Sequence, residues 1–185
     1  RPTRRCLTVA RLTVWPTFFL LAVLLFFTGC TAETEDPQVL ALRQQLSLAA
    51  EPESVATIAD AKAAAAENPD VVFVGRIGAG EHEPFVPGQA SFVVTEILPD
   101  EDGHGGKSHA DNCPFCKRQA ADAPRAAVQF VDASGKTLAI DARKLFGIQP
   151  GDTVVVRGKG EVLGELDMFQ VTADGIYVRQ AGGGP

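Results

Sequence analysis

A series of short β-branched segments, set off by turn residues, most constrains what this chain can become. VVFVGRIG (71–78), ASFVVTEIL (90–98), AAVQFVD (126–132), KTLAIDA (136–142), DTVVVRGKGEV (152–162) and MFQVTADGIYVR (168–179) are rich in Val, Ile, Thr and Phe. These are the residues that suit a pleated, half-buried surface. Ala133-Ser134-Gly135 and Pro150-Gly151-Asp152 supply turn chemistry between neighbours. No helical pattern alternates with the strands, which argues against a parallel sheet with crossover helices and for strands that close on one another. The expected fold is mainly β: a small antiparallel barrel or sandwich over 71–180. ARKLFGI (142–148) is expected as a short helix before the penultimate strand, ended by Gly147.

GIQPGDTVVVRGKGEV followed by FQVTADGIYVR resembles the second half of an OB-fold, in which a Gly-Asp turn leads into a valine-rich strand and a closing strand follows. VVFVGRI, with a glycine partway along a strand that must coil, resembles the first strand of such a barrel. The resemblance covers 71–179 and implies an OB-like architecture.

Upstream, PESVATIADAKAAAAEN (52–68) is alanine-rich, begins at a proline and stops at Asn68-Pro69, so a helix is expected within 51–70. Its apolar face is thin, which places it against the domain rather than in its core. VLALRQQLSLAA (39–50) reads as a short helix or as a linker, and 30–50 is taken as a tether. The tail 181–185, AGGGP, is expected to be disordered.

The first 29 residues differ from the rest. RPTRRCLTVAR carries four arginines and no acid, and the run LTVWPTFFLLAVLLFF follows. A basic start, a short apolar core and small residues before a boundary describe a secretory signal peptide. The boundary, FTGC, resembles the bacterial lipoprotein signal motif: Thr28, Gly29 and Cys30 match, and Phe27 stands where leucine is usual. The resemblance implies lipidation at Cys30, which would then be the mature N-terminus. An uncleaved anchor and an ordinary signal are the other readings. All of them export the domain to the cell envelope, on the periplasmic or outer face, and the first two tether it to a membrane.

Without that leader, 13 of the 17 Lys and Arg remain against all 23 Asp and Glu, a net charge of −10, and the single Trp is lost. An acidic chain without Trp is a poor partner for phosphate backbones, so nucleic acid is not expected as a ligand. The membrane is expected as a partner through the lipid at Cys30, and an unidentified protein partner fits the same placement.

Between the second and third strands lies PDEDGHGGKSHADNCPFCKRQAADAPR (99–125), too long for a tight turn. Two of the three histidines of the chain, and both cysteines left after the leader and Cys30, fall in it as His104, His109, Cys113 and Cys116. Two imidazoles and two thiolates make a complete tetrahedral set for zinc, and thiolate with imidazole also suits copper. Cys-Pro-Phe-Cys brings two sulfurs together from one turn. Asp111 is a candidate to replace one ligand or to orient an imidazole. His82 lies far away in GEHEPF and reads as a loop residue.

Two other readings remain for this segment. CPFC resembles the active-site tetrapeptide of glutaredoxins and related thioredoxin-fold proteins, which implies a thiol-disulfide protein with Cys113 attacking and Cys116 resolving. The residues before it, GGKSHADN, are not an apolar strand, and no βαβ pattern surrounds it. A polar loop on a structural or adaptor lipoprotein is the other reading. Elsewhere, GRIGAGE lacks the lysine and the helix of a phosphate loop. Ser91, Ser108 and Ser134 have no nucleophile context. Asp152 reads as a turn residue, and PDEDG (99–103) as a solvated loop. The sequence therefore points to a non-enzymatic, membrane-anchored binding module with a two-histidine, two-cysteine metal site.

Overall fold

In the computed structural model of the protein, residues 36–97, 122–164 and 168–179 are described. The expected leader (1–29), Cys30, the expected metal donors His104, His109, Cys113 and Cys116, Asp111, and the expected disordered tail 181–185 all lie outside them.

Helix α1 (Pro37–Leu46) starts where Asp36 accepts the Gln38 N–H at 2.9 Å and Pro37 fills the first turn. Chain expected as tether is therefore helical from Pro37, and Val39 is buried. Helix α2 (Ile58–Ala64) is shorter than its alanine-rich pattern. Thr57, in extended conformation, caps it by accepting the Asp60 N–H. Buried Ile58 and Ala61 hold it to the core.

Five strands follow: β1 (Asp70–Ile77), β2 (Ser91–Thr95), β3 (Arg125–Phe130), β4 (Thr153–Leu163) and β5 (Met168–Arg179). Their hydrogen-bonded order runs β1-β2-β3-β5-β4 and returns to β1, so the sheet bonds into a ring. The ring is mixed. β3 and β5 run parallel, from Ala126↔Phe169 to Phe130↔Ala173, which corrects the expectation of an antiparallel barrel. The cause is the connection from β3 through helix α3 (Ala142–Phe146) to β4, which lets the β4–β5 hairpin return β5 alongside β3 in the same direction.

The expected strand at 136–142 does not form. After Phe130 the chain turns at Asp132 and Gly135 (φ 81°), and the returning segment makes one bridge, Val131↔Thr137. The Leu138 N–H then reaches Phe130 O, and the Asp141 cap opens α3. Gly147, at φ 71°, ends that helix as expected. Asp152 is a turn residue as read, accepting the Gln149 N–H at 2.8 Å.

The interior is aromatic. Phe73, Phe92, Phe130 and Phe169 are fully buried, with Phe73–Phe169 ring centroids 6.0 Å apart and Phe130–Phe146 4.7 Å apart. Each such ring contributes about 1.5–3 kcal/mol by leaving water.

The ring has two open seams. β3 ends opposite Ala173, so the later part of β5 lacks a β3 neighbour. β1 meets β2 only at Arg76↔Thr95 and Ile77↔Val94. Residues 47–57, a strap, occupy both openings. The Leu48 N–H donates to Ile176 O at 2.8 Å, and Ala56 bonds Val72 and Val74. The pinned residues Ile176 and Phe73 both pair with Val156, so the strap crosses along one row of the sheet. Four inter-strand steps span about 19 Å, and the nine residues from Ser47 to Ala56 reach about 30 Å when extended, enough to arch over β4. Val155 is fully buried although its neighbours Val154 and Val156 point into the core. It therefore faces outward, on the stretch of β4 that lies between the two pinned ends of the strap.

Candidate functional site

The segment that carries the donor residues is rooted in the β2–β3 pair. Thr95 and Arg125 are the last partners of that ladder, and one step further the Glu96 N–H donates to Pro124 O at 2.9 Å. The chain thus leaves and returns side by side. Glu96 makes a second attachment: its carboxylate accepts the Ala59 N–H of α2 at 2.7 Å. Beside it, the Thr95 hydroxyl donates to Gly78 O at 2.7 Å. Ile97, the last described residue before the segment, is exposed.

The structure brings none of His104, His109, Cys113 and Cys116 into view, because all four lie outside the described residues, as does the proposed orienting Asp111. Among the described residues no group of three or more His, Cys, Asp or Glu side chains is arranged to hold a metal ion. His82 is an exposed loop residue, bridging Ala79 through the backbone, as read from the sequence. Among the described residues, no helix is long and apolar enough to cross a membrane.

The outward face of β2 and β3 presents Ser91, Val93 and Thr95 beside Arg125, Ala127 and Gln129. The Ser91 hydroxyl is engaged with Val128 O at 3.1 Å. Ser134 donates to Asp132 at 2.6 Å, and the same carboxylate oxygen accepts the Ser134 and Lys136 N–H groups, so this pair stabilises an exposed turn. A shallow, open depression of about 390 Å³ lies on the β4–β5 hairpin, lined by Pro69, Lys159, Gly160, Glu161, Gln170 and Thr172. Its lysine is committed to Asp70 at 2.9 Å.

At the opposite end of β2, the 79–90 loop folds back along the strand through Phe85↔Phe92, and Arg143 of α3 stands over the Phe85 ring at 5.2 Å. Arg143 also grips Asp141 through two hydrogen bonds of 2.9 and 2.8 Å. That grip holds the Asp141 carboxyl at about 2, against a partial burial that raises it, with N–H groups of Arg143 and Gly88 adding to the lowering. This cluster fixes α3 to the loop and presents no unpaired acid or base.

Glu96 is the residue sequence reasoning missed. Phe92 and Val94 point inward, so Glu96 falls on the inward parity of an apolar strand. A carboxylate at that place marks the point where a strand must end and the side chain must find donors.

No protein-family model matches the chain, and no curated protein matches it either.

Proposed function

We propose that this chain is an exported lipoprotein, held in the cell envelope by a lipid on Cys30, whose β-ring is an OB-type barrel acting as a non-enzymatic binding module for zinc. His104, His109, Cys113 and Cys116 are the proposed ligands, with Asp111 orienting an imidazole. Four protein ligands close a tetrahedral site and leave no open position for a reacting water, so the metal is structural or is itself the cargo.

The observation that carries the reading is the rooting of the inserted segment. Paired residues of an antiparallel ladder stand about 4.5–5.5 Å apart. Because Thr95 and Arg125 pair, and Glu96 bonds Pro124, the ends of the segment are already together. The large closure entropy is met by the β2–β3 pair, and four donors within 13 residues need only local folding to converge.

The ring order, its one parallel pair and its five strands support the OB-type assignment, since that barrel is five-stranded and partly open. OB-type barrels commonly bind through the face of strands 2 and 3. Here that face carries small and polar side chains and no aromatic ring for a base to stack on, which supports a ligand other than nucleic acid. An anchor at Cys30 would stand seven residues before Pro37, the first residue of α1.

The test is the metal content of the full chain, purified under reducing conditions without chelator, beside its free thiols. About one zinc per chain, lost in His109→Ala, upholds the reading. One copper instead keeps the site and changes its metal. No metal, with a reducible Cys113–Cys116 bond indifferent to His109→Ala, replaces the reading with the thiol-disulfide one.

A further inference from the structure

Between the two pinned ends of the strap the sheet turns an apolar row outward. Val74, Val155 and Tyr177 are register partners across β1, β4 and β5, while their chain neighbours Phe73, Val154, Val156 and Ile176 lie in the core. Val155 is fully buried and the other two are half-buried, although all three face away from the interior. The rows on either side carry arginine: Val72–Arg157–Gly175 on one, Arg76–Thr153–Arg179 on the other.

The strand edges at the ends of this row also have groups to offer. β1 presents Val72 O and the Val74 N–H where β2 has left it, and β5 presents Ile176 O beyond its pairing with β3. An apolar track between two such edges suits strand addition, in which backbone bonds give the grip and side chains the selection.

The strap meets that track with matching chemistry and light attachment. Leu48, Pro52, Val55 and Ala56 are half-buried, and Glu51 is bonded to Arg179. Gly175, without a side chain, leaves room for Leu48. No residue from Ser47 to Thr57 is buried. The strap backbone is held to the sheet at Leu48 and Ala56 alone, and among the described residues 49–55 make no backbone hydrogen bond. A segment so exposed and so sparsely bonded opens at a lower free energy than the strands beside it.

We infer that the outward row and its two edges form a strand-docking site, that the strap is its exchangeable occupant, and that the strap of a second copy is the partner it accepts. The partner follows from the fit. The track is apolar along its centre and basic along its sides, and the strap is apolar at Leu48 and Val55, acidic at Glu51, and the same in every copy. The strap in place is tethered, so it competes at a roughly millimolar effective concentration. The site is therefore self-occupied in dilute chain and open to a second copy where the strap is released or copies are crowded together.

The experiment uses the full chain, a fluorescent peptide of residues 45–57, and a variant changed on the strap alone, Leu48→Asp with Ala56→Pro. The proline removes the N–H given to Val72 O, and the aspartate removes the apolar side chain beside Gly175. Peptide anisotropy is read against chain concentration, and amide exchange at Val74 reports the β1 edge. The variant is expected to bind the peptide one to one, at least about tenfold more tightly than the original chain, because the tethered competitor is gone. Exchange at Val74 quickens in the variant and slows again when peptide is added. A peptide carrying the same two changes does not bind. Adding Arg179→Glu to the variant weakens the native peptide, and a peptide with Glu51→Arg regains the loss, which a strap that only fills space would not do. Where the double variant does not fold, Leu48→Asp alone takes its place. A folded variant, its β4–β5 amides still protected, that shows no saturable peptide binding overturns the inference. So does binding that is equal in variant and original and indifferent to the two changes in the peptide.

Discussion

Ala56 lies in parallel register beside Phe73, donating its N–H to Val72 O at 2.9 Å and accepting the Val74 N–H at 3.1 Å. Two backbone bonds from one residue fill the edge that β2 leaves bare. The N-terminal strap is therefore part of the sheet's closure, and substitutions beneath it report on that closure.

Two glycines separate backbone closure from strap docking. A Cβ on Gly158 would stand 2.3 Å from Thr172 O and 2.7 Å from Ala173 Cα, where the β4–β5 ladder shifts register. Gly158→Ala must move backbone and is expected to destabilise by about 3 kcal/mol. A Cβ on Gly175 would meet Leu48 Cδ2 at 2.7 Å, and that side chain can swing aside. Gly175→Ala is expected to lose only about 1 kcal/mol, with faster proteolytic cutting in 49–54. Urea unfolding and limited proteolysis check both, and equal losses at the two sites would contradict the strap's peripheral placement.

Asp141 makes stability depend on acid. Its folded value, about 2, lies below the ordinary 3.8 because Arg143 bonds both carboxylate oxygens. A lowered folded pKa gives stability that is present above the unfolded value and lost as pH falls from near 4 toward 2. With the side chain 23% exposed, solvent screening reduces this to about 1–2 kcal/mol. Asp141→Asn keeps a capping side chain but not the charge, so its deficit at pH 7 should vanish near pH 2 in urea titrations at the two pH values.

Thr57→Ala removes the side-chain oxygen that accepts the Asp60 N–H. A loss of about 1 kcal/mol is expected from this cap. Thermal unfolding of the variant should show it, whereas an unchanged midpoint would mean that the buried Ile58 and the Glu96 bond to the Ala59 N–H set the start of α2 without the cap.

The pair of Arg179 and Glu51 holds the middle of the strap, with Nε 3.1 Å from the carboxylate and both side chains about one-third exposed. Arg179→Ala is expected to lose about 0.5 kcal/mol, and less at high salt. A loss above about 2 kcal/mol in a salt series would assign the strap to the core.

Much of this architecture was legible in the chain. The β-branched runs gave five of six strands near their places, and Gly147 and Asp152 were read correctly as punctuation. KTLAIDA misled because its alternation looks strand-like, while Asp141 is a helix cap and the segment's bonds go to Phe130 and Ala90 one at a time. The parallel β3–β5 pair was not legible, since local pattern carries no information on which distant strand becomes a neighbour. Thr57 and Asp60 did carry the start of α2, but the alanine run around them hid the cap. Of the candidate site, the sequence offered the proposed donors, and the described residues show the β2–β3 ladder from which their segment departs. The sequence signal of Glu96 was an acid on an apolar parity.

Cobalt(II) titration of the reduced chain tests the proposed tetrahedral site of two thiolates and two imidazoles. Intense visible bands of a tetrahedral ion with thiolate charge-transfer absorption are expected, saturating at one cobalt per chain, displaced by zinc and abolished by Cys113→Ser. Weak octahedral absorption that neither Cys113→Ser nor His109→Ala alters would contradict it.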